Sequence, residues 1–492
     1  MADVEALTGP ESSTVTRKKT SFAGDVLKLV SGTTVAQLLS ILASPILTRL
    51  YAPEAFGVAA LFGSITSILG VIACLRYELS IMLPETDEDA ANLLGVSIGF
   101  AVLISLLTVP IVWWGKKPLL RVLNAELLDP YVWLMPVAVL LGGVFVALNY
   151  WNSRTRQFGR LSIARVISSL ATTSTTLGAG FAGYATAGTM ISAGVGGQAI
   201  STIVLGGQIW RDDGKLFLRS INWRGMLYGI KRHRRFPLYG IWSALLNTIS
   251  WQLPIFLLAN YFSVTVVGYY ALGFRILQIP MSLIGTAIAQ VFFQRAAEAR
   301  SLGTLTSLVD STFVKLVMVG VFPALTLSII GHDLFSLVFG ATWGEAGVYA
   351  QLLSLWSLFW LISSPLSTLL SVLEMQRFEL QFNIILLAAR FFALSIGGML
   401  QNARLAILLF SAFGLILYVY LCVTLLSASG LHFRRIVSIV GQALLSFTPF
   451  GIILVAVGYL GTNIWYTLVV ATISFLVYYV ALYRLRPALF GL

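Results

Sequence analysis

The chain has 492 residues, of which 58% are hydrophobic and only 11% charged, and it carries a net charge of +12. Soluble domains carry about 25% charged residues, so this composition cannot coat a water-facing surface and a soluble globular protein is excluded. A helix needs about 20 apolar residues to cross the hydrocarbon core, and the apolar runs fill most of the length.

Residues 1–22 are rich in Ser and Thr and include Arg17-Lys18-Lys19. They are too polar for a cleaved signal segment and read as a disordered cytoplasmic tail. The runs that follow are continuous, unlike the alternating segments of about ten residues that build a membrane β-barrel. They predict spans at 23–48, 54–75, 90–114, 130–151, 161–182 and 187–210, an N-lobe over 23–210. A basic cytoplasmic linker, 211–236, precedes spans at 237–261, 264–292, 307–331, 346–373, 378–400 and 403–427, a C-lobe over 237–427. Two further spans, 437–460 and 463–483, complete the chain within 428–492. The expected fold is an all-α polytopic membrane protein of about 14 transmembrane helices, two six-helix lobes plus a terminal pair.

With both termini inside, twenty-two of the 32 Lys and Arg side chains fall on the cytoplasmic side and five outside, as the positive-inside rule requires. The two lobes also echo each other. Tyr51-Ala52-Pro53-Glu54-Ala55-Phe56-Gly57 joins the first two spans, and Tyr261 followed by Gly268-Tyr269-Tyr270-Ala271-Leu272 joins the seventh and eighth. Arg156-Gln157-Phe158 before the fifth span is answered by Gln376-Arg377-Phe378 before the eleventh. Halves with an even number of helices would be parallel repeats about an axis along the membrane normal.

A cation at the bilayer centre costs about 2.5–3.5 kcal/mol on insertion scales, so each one inside a span asks for a partner or a purpose. Five lie within spans: Lys28, Arg165, Arg275, Lys315 and Arg390. Lys28 and Arg165 are near cytoplasmic ends, where long side chains can also snorkel to the headgroups. Arg275 and Arg390 are near mid-membrane, and Arg275 heads a polar face of Gln278, Ser282, Thr286 and Gln290. Parallel stripes run through Gln37, Ser40, Ser44 and Thr48, through Arg165, Ser169, Thr172 and Thr176, and through Ser243, Asn247, Ser250 and Pro254. Single hydroxyls act as interhelical glue, whereas whole stripes headed by arginines point to a water-filled cavity. No carboxylate is well inside a span, so this cavity is cationic and suits an anionic ligand; the guanidinium fork suits phosphate above all.

Enzymatic signals are weak: Gly95-Val96-Ser97-Ile98-Gly99 fits the nucleophile-elbow spacing but lies in an apolar span, not between a strand and a helix. His233, His332 and His432 fall in separate loops, Cys74 and Cys422 lie within apolar runs, and no phosphate-binding loop or metal-ligand spacing occurs. No cofactor is expected. The Lys231-Arg232-His233-Arg234-Arg235 run suits anionic lipid headgroups, not nucleic acid.

Leu47-Thr48-Arg49-Leu50-Tyr51-Ala52-Pro53-Glu54-Ala55-Phe56-Gly57, followed by Arg76-Tyr77-Glu78-Leu79-Ser80-Ile81-Met82-Leu83-Pro84, resembles the N-terminal signature of bacterial polysaccharide-export flippases. These are the Wzx-like members of the multidrug, oligosaccharidyl-lipid and polysaccharide exporter superfamily. The resemblance implies a MATE-like fold, a cationic central cavity open alternately to each face, and an inner-membrane location. It implies as cargo an undecaprenyl-pyrophosphate oligosaccharide for lipopolysaccharide O-antigen or exopolysaccharide synthesis, with polymerase and chain-length proteins as partners. The family's cavity arginine in the eighth helix matches Arg275, and its basic residues in the first helix match Lys28. The expected binding set is therefore Arg275, Arg390, Arg165, Lys315 and Lys28, with Gln37, Ser40, Asn247, Gln278, Ser282 and Gln290 lining the cavity. Family members also carry functional acids within helices, which this sequence does not place deep in any span. The alternatives are a multidrug cation exporter of the same fold, which would present buried carboxylates, and a membrane glycosyltransferase or polymerase, which would need a larger outer loop.

Overall fold

The computed structural model describes residues 22–459 and 464–485, with side chains from Thr33 onward except at 283, 284, 286, 287, 290, 459 and 485. The expected tail and the side chains of Lys28 and Gln290 lie outside the described residues. The helices in chain order are α1 (Phe22–Leu50), α2 (Pro53–Ala73), α3 (Asp87–Val122), α4 (Met135–Arg154), α5 (Phe158–Phe181), α6 (Ala187–Ser220) and a short α7 (Trp223–Arg232). Then come α8 (Ile241–Tyr261), α9 (Val264–Pro280), α10 (Thr286–Ser301), α11 (Leu305–Phe339), α12 (Gly344–Leu366), α13 (Leu369–Val372), α14 (Gln376–Met399), α15 (Ala403–Ala428), α16 (Phe433–Tyr459) and α17 (Ile464–Leu485). The end of the molecule carrying the α1–α2 junction is called upper here, and the end carrying α7 lower.

Twelve of the described helical segments are long and apolar enough to cross a bilayer, two fewer than the sequence predicts. The shortfall falls on the expected spans at 161–182 and 264–292, for two physical reasons. In α5, Ser168, Ser169, Thr172 and Thr176 interrupt the apolar run with hydrogen-bonding side chains. The eighth expected span is broken: α9 ends after 17 residues at Pro280, and a π turn, Met281–Gly285, separates it from α10. A proline lacks the N–H of the helical ladder and crowds the carbonyl four residues back. The basic linker also differs from expectation, since α6 runs on to Ser220 and the Asn222 side chain caps α7 by accepting from Gly225 N–H at 2.8 Å.

The contact between α2 and α9 is reciprocal. A Cβ on Gly57 would run into the Val264 carbonyl oxygen, and one on Gly268 into the Pro53 carbonyl oxygen. Only glycines let the two backbones approach this closely, and contact of each glycine with the first residue of the other helix is what a two-fold axis produces. The upper end is closed around this crossing. Trp343 Nε1 donates to the Thr48 carbonyl at 2.8 Å, Arg49 reaches the Leu337 carbonyl at 3.2 Å, and Asn124 Nδ2 donates to the Asn260 carbonyl at 2.6 Å. Phe56 packs edge-on against Trp343, with ring centroids 4.8 Å apart.

Prolines inside two helices free carbonyls that distant side chains recover. Pro323 leaves Val319 C=O without its helical donor, and Tyr479 on α17 donates to it at 2.6 Å; Tyr478 donates to Met318 C=O at 2.8 Å. These bonds fasten the terminal helix to α11. Pro254 in α8 likewise frees the carbonyl of Ser250, whose new donor is Arg390.

Candidate functional site

One face of α1 collects the polar stripes of its neighbours. Thr33, Ala36, Gln37 and Ser40 are spaced i, i+3, i+4 and i+7, which puts them in line on a helix. From α5, Arg165 Nη1 donates to Thr33 Oγ1 at 3.0 Å and Ser169 Oγ to the Ala36 carbonyl at 2.8 Å. From α9 and the π turn below it, Arg275 donates to Ser40 Oγ, and Gln37 Nε2 donates to Ser282 Oγ at 2.7 Å. Two guanidinium groups therefore meet the same face of α1, two turns apart, which at 1.5 Å per residue is about 10 Å of depth. Arg275 lies about 16 Å below the upper end of α9 at that rise.

Protein surrounds Arg275 on most sides, yet its side chain keeps an exposed surface, as does that of Gln278 one turn below. Arg165 is half-buried. Among the described residues neither arginine lies within ion-pair distance of a carboxylate, whereas Arg154 meets Asp87 at 3.0 Å and Arg160 meets Asp212 at 2.6 Å. A cation pair at this depth without a described carboxylate beside it asks for a partner or a purpose.

Arg390 has different surroundings. It is 3% exposed, and its Nη1 donates to both the Ser250 carbonyl, at 3.1 Å, and Ser250 Oγ, at 2.8 Å. Its guanidinium lies 4.4 Å from the centre of the Trp251 ring, a cation–π contact. Arg390 borders a separate cavity of about 420 Å³, with Asn247, Ser364 and Asn383. Lys315 is exposed on α11. The structure thus brings Arg165, Arg275, Gln37, Ser40 and Ser282 into one seam, and places Arg390 and Asn247 in another.

A second polar feature lies at the lower end, where the sequence shows only a loop. Arg76 and Glu78 border a cavity of about 670 Å³ lined by Gly63, Thr66 and Gly70 of α2, Gln198 of α6 and Thr248 of α8. Glu78 is 3% exposed. No periodicity betrays this burial, because Glu78 follows α2 in a 3-10 turn, Tyr77–Met82, outside any helical pattern.

A stack of long apolar helices, a close glycine crossing of α2 and α9 at one end and a cationic seam at mid-depth describe a multi-pass membrane protein. The fold matches Lipid II flippase MurJ in an inward closed conformation, with TM-score 0.75 over 94% of this chain and 99% of that one at 12% identity. It also matches an inward-facing multidrug resistance MATE family transporter of the MOP superfamily, with TM-score 0.61 over 82% and 98% at 14% identity. A point mutant of the VcmN MATE transporter of Vibrio cholerae aligns with TM-score 0.54 over 82% and 95% at 13% identity. At these identities the likeness is one of fold. No curated protein matches the chain. The sequence itself places the chain in a family: residues 46–347, more than half of its length, match the model described as Polysaccharide biosynthesis protein, and the chain belongs to that family.

Proposed function

We propose that this protein is a flippase of the bacterial inner membrane. It turns an oligosaccharide carried on undecaprenyl pyrophosphate from the cytoplasmic to the outer leaflet, for O-antigen or exopolysaccharide synthesis. The observation that carries this reading is the pair Arg165 and Arg275, joined to one face of α1 with no carboxylate in range among the described residues. Arg275 and Arg165 hold the pyrophosphate, Gln37, Ser40, Gln278 and Ser282 face the sugars, and the polyprenyl tail stays in lipid. Arg390 acts one step away, by holding α8 to α14.

In this reading α5 and the broken α9–α10 segment also cross, giving fourteen spans in two six-helix lobes and a terminal pair. The reciprocal contact of Gly57 and Gly268 supports that duplication. Both termini and the basic run at Lys231–Arg235 lie in the cytoplasm, so the closed upper end faces out and cargo enters from below. Membership of a polysaccharide biosynthesis family supports the glycan, and the fold match to a protein named Lipid II flippase supports the lipid carrier.

The test is leaflet accessibility of a labelled undecaprenyl-pyrophosphate oligosaccharide in liposomes holding the purified protein. A hydrogen bond to a charged group is worth about 1.5–3 kcal/mol, so Arg275→Ala weakens cargo binding by about ten- to a hundredfold. Arg275→Lys keeps the charge, loses the fork and falls between. Unaltered flipping by Arg275→Ala, with the protein folded, removes the reading.

A further inference from the structure

The Arg76–Glu78 turn has no part in the site above, although the cavity it borders receives Thr248 from the opposite lobe. Its construction is unusual. Leu75 and Arg76 have φ of 49° and 64°, two successive side-chain-bearing residues in the left-handed region, and such strain gathers where a switch or a ligand clamp needs it. The turn is held from outside: Arg154 donates to the carbonyls of Ile81 at 3.1 Å, Pro84 at 2.8 Å and Thr86 at 3.1 Å. Tyr77 Oη donates to the Ile230 carbonyl at 3.2 Å and its ring stacks on Phe100 at 5.4 Å.

Inside this rigid frame the pair itself is incompletely satisfied. Arg76 Nη1 stands 3.4 Å from Glu78 Oε1, while Glu78 Oε2 and Arg76 Nε are buried without a hydrogen-bond partner. An ionised carboxylate with one oxygen unpaired is costly to bury, and protonation supplies the donor that relieves it. Burial pushes the Glu78 carboxyl above its ordinary range; its own backbone N–H and Arg76 pull the other way without cancelling the effect. The surroundings add little positive charge. Cys74 at the end of α2 and Tyr150 of α4 face Glu78, Arg154 of α4 is committed to Asp87 of α3, and Phe236–Gly240 approaches Arg76 through Gly240.

We propose that Glu78 is a proton-binding site of the transport cycle, and that its protonation frees Arg76 to turn into the cavity. In the ionised pair the carboxylate holds the guanidinium against the turn. A proton arriving from water in the cavity neutralises Glu78, and Arg76, one quarter exposed already at 28%, becomes an unpaired cation facing the cargo path. Loss of the proton draws it back. Arg76 thereby offers a second, proton-dependent hold for the pyrophosphate below Arg275, a step that rests on the flippase reading.

Two measurements on the full-length protein in nanodiscs test this without cargo. Infrared difference spectra between acid and neutral pH are expected to show a protonated carboxyl band that Glu78→Gln removes. An unchanged band in that variant means Glu78 does not titrate and overturns the proposal. At a single pH, arginine-specific labelling by phenylglyoxal, read by mass spectrometry at Arg76 with Arg156 as internal control, is expected to run several-fold faster in Glu78→Gln than in wild type. Glu78→Asp should restore the slow rate. Equal labelling in all three means that Glu78 does not restrain Arg76, which also overturns the proposal. Since Glu78→Gln nearly preserves shape, thermal unfolding of each variant accompanies both readings, and Glu78→Asp serves if Gln unfolds. Wild-type liposomes that flip no cargo remove the flippase reading, while the band and the labelling still decide the proton site.

Discussion

Adding one methyl group at Gly57 tests the crossing of α2 and α9. The new Cβ in Gly57→Ala meets the Val264 carbonyl oxygen, a backbone atom that no rotamer change can move, so α2 and α9 must separate. Overpacking of this kind costs about 1–3 kcal/mol. That cost applies only where the helices touch, so it disfavours the upper-closed state against any state opened there by about 5- to 140-fold, at 1.4 kcal/mol per tenfold. Spin labels at Lys117 and Gln401, near the upper ends of α3 and α14, report the change as a longer distance in double electron–electron resonance. Gly268→Ala should do the same through the Pro53 carbonyl. Because each glycine faces the first residue of the other's helix, the second methyl meets helices already apart, and the double variant should fall short of the sum by about 0.5 kcal/mol or more. Unchanged distances in both single variants, or strict additivity, would refute the reciprocal crossing.

Arg390→Met should destabilise the protein by about 1–3 kcal/mol by leaving the Ser250 carbonyl unpaired, and Pro254→Ala, which restores an N–H to that carbonyl, should recover part of the loss in thermal unfolding. Tyr479→Phe strands the Val319 carbonyl freed by Pro323 and should cost about 1–3 kcal/mol, read as a lower Tm with the helix content unchanged. Burial in the fold raises the Glu78 carboxyl above its ordinary value of 4.5. Its protonated form is therefore favoured on folding, a contribution fully present below about pH 4.5 and lost as pH rises through the folded value. Wild type should lose stability relative to Glu78→Gln across that rise, and parallel pH profiles of Tm would contradict the assignment.

The apolar runs are legible because lipid demands unbroken helices, and twelve of fourteen expected spans meet the length and hydropathy that crossing requires. The stripe through Gln37 and Ser40 is legible for the same periodic reason, and Ser282 and Arg275 meet it in space. Partnership across distance is not. In the sequence Arg390 reads as a mid-membrane cation in want of an anion, but its hydrogen-bond partner lies 140 residues away, at a carbonyl opened by Pro254. Glu78 lies past the end of α2, where hydropathy sees a cytoplasmic loop, and only the left-handed backbone at Leu75 and Arg76 turns it back into the protein. A left-handed pair without glycine leaves no mark in one-dimensional sequence.

The tyrosine bonds from α17 to the proline break in α11 tie the appended helices to one half of the molecule. In the proposed flippase, rocking of the halves would sweep that half through a wider footprint of lipid than the other. The work done against the bilayer would then be unequal on the two sides, and membrane thickness and lateral pressure would become determinants of the flipping rate, sensed through a ballast fastened by two phenol groups.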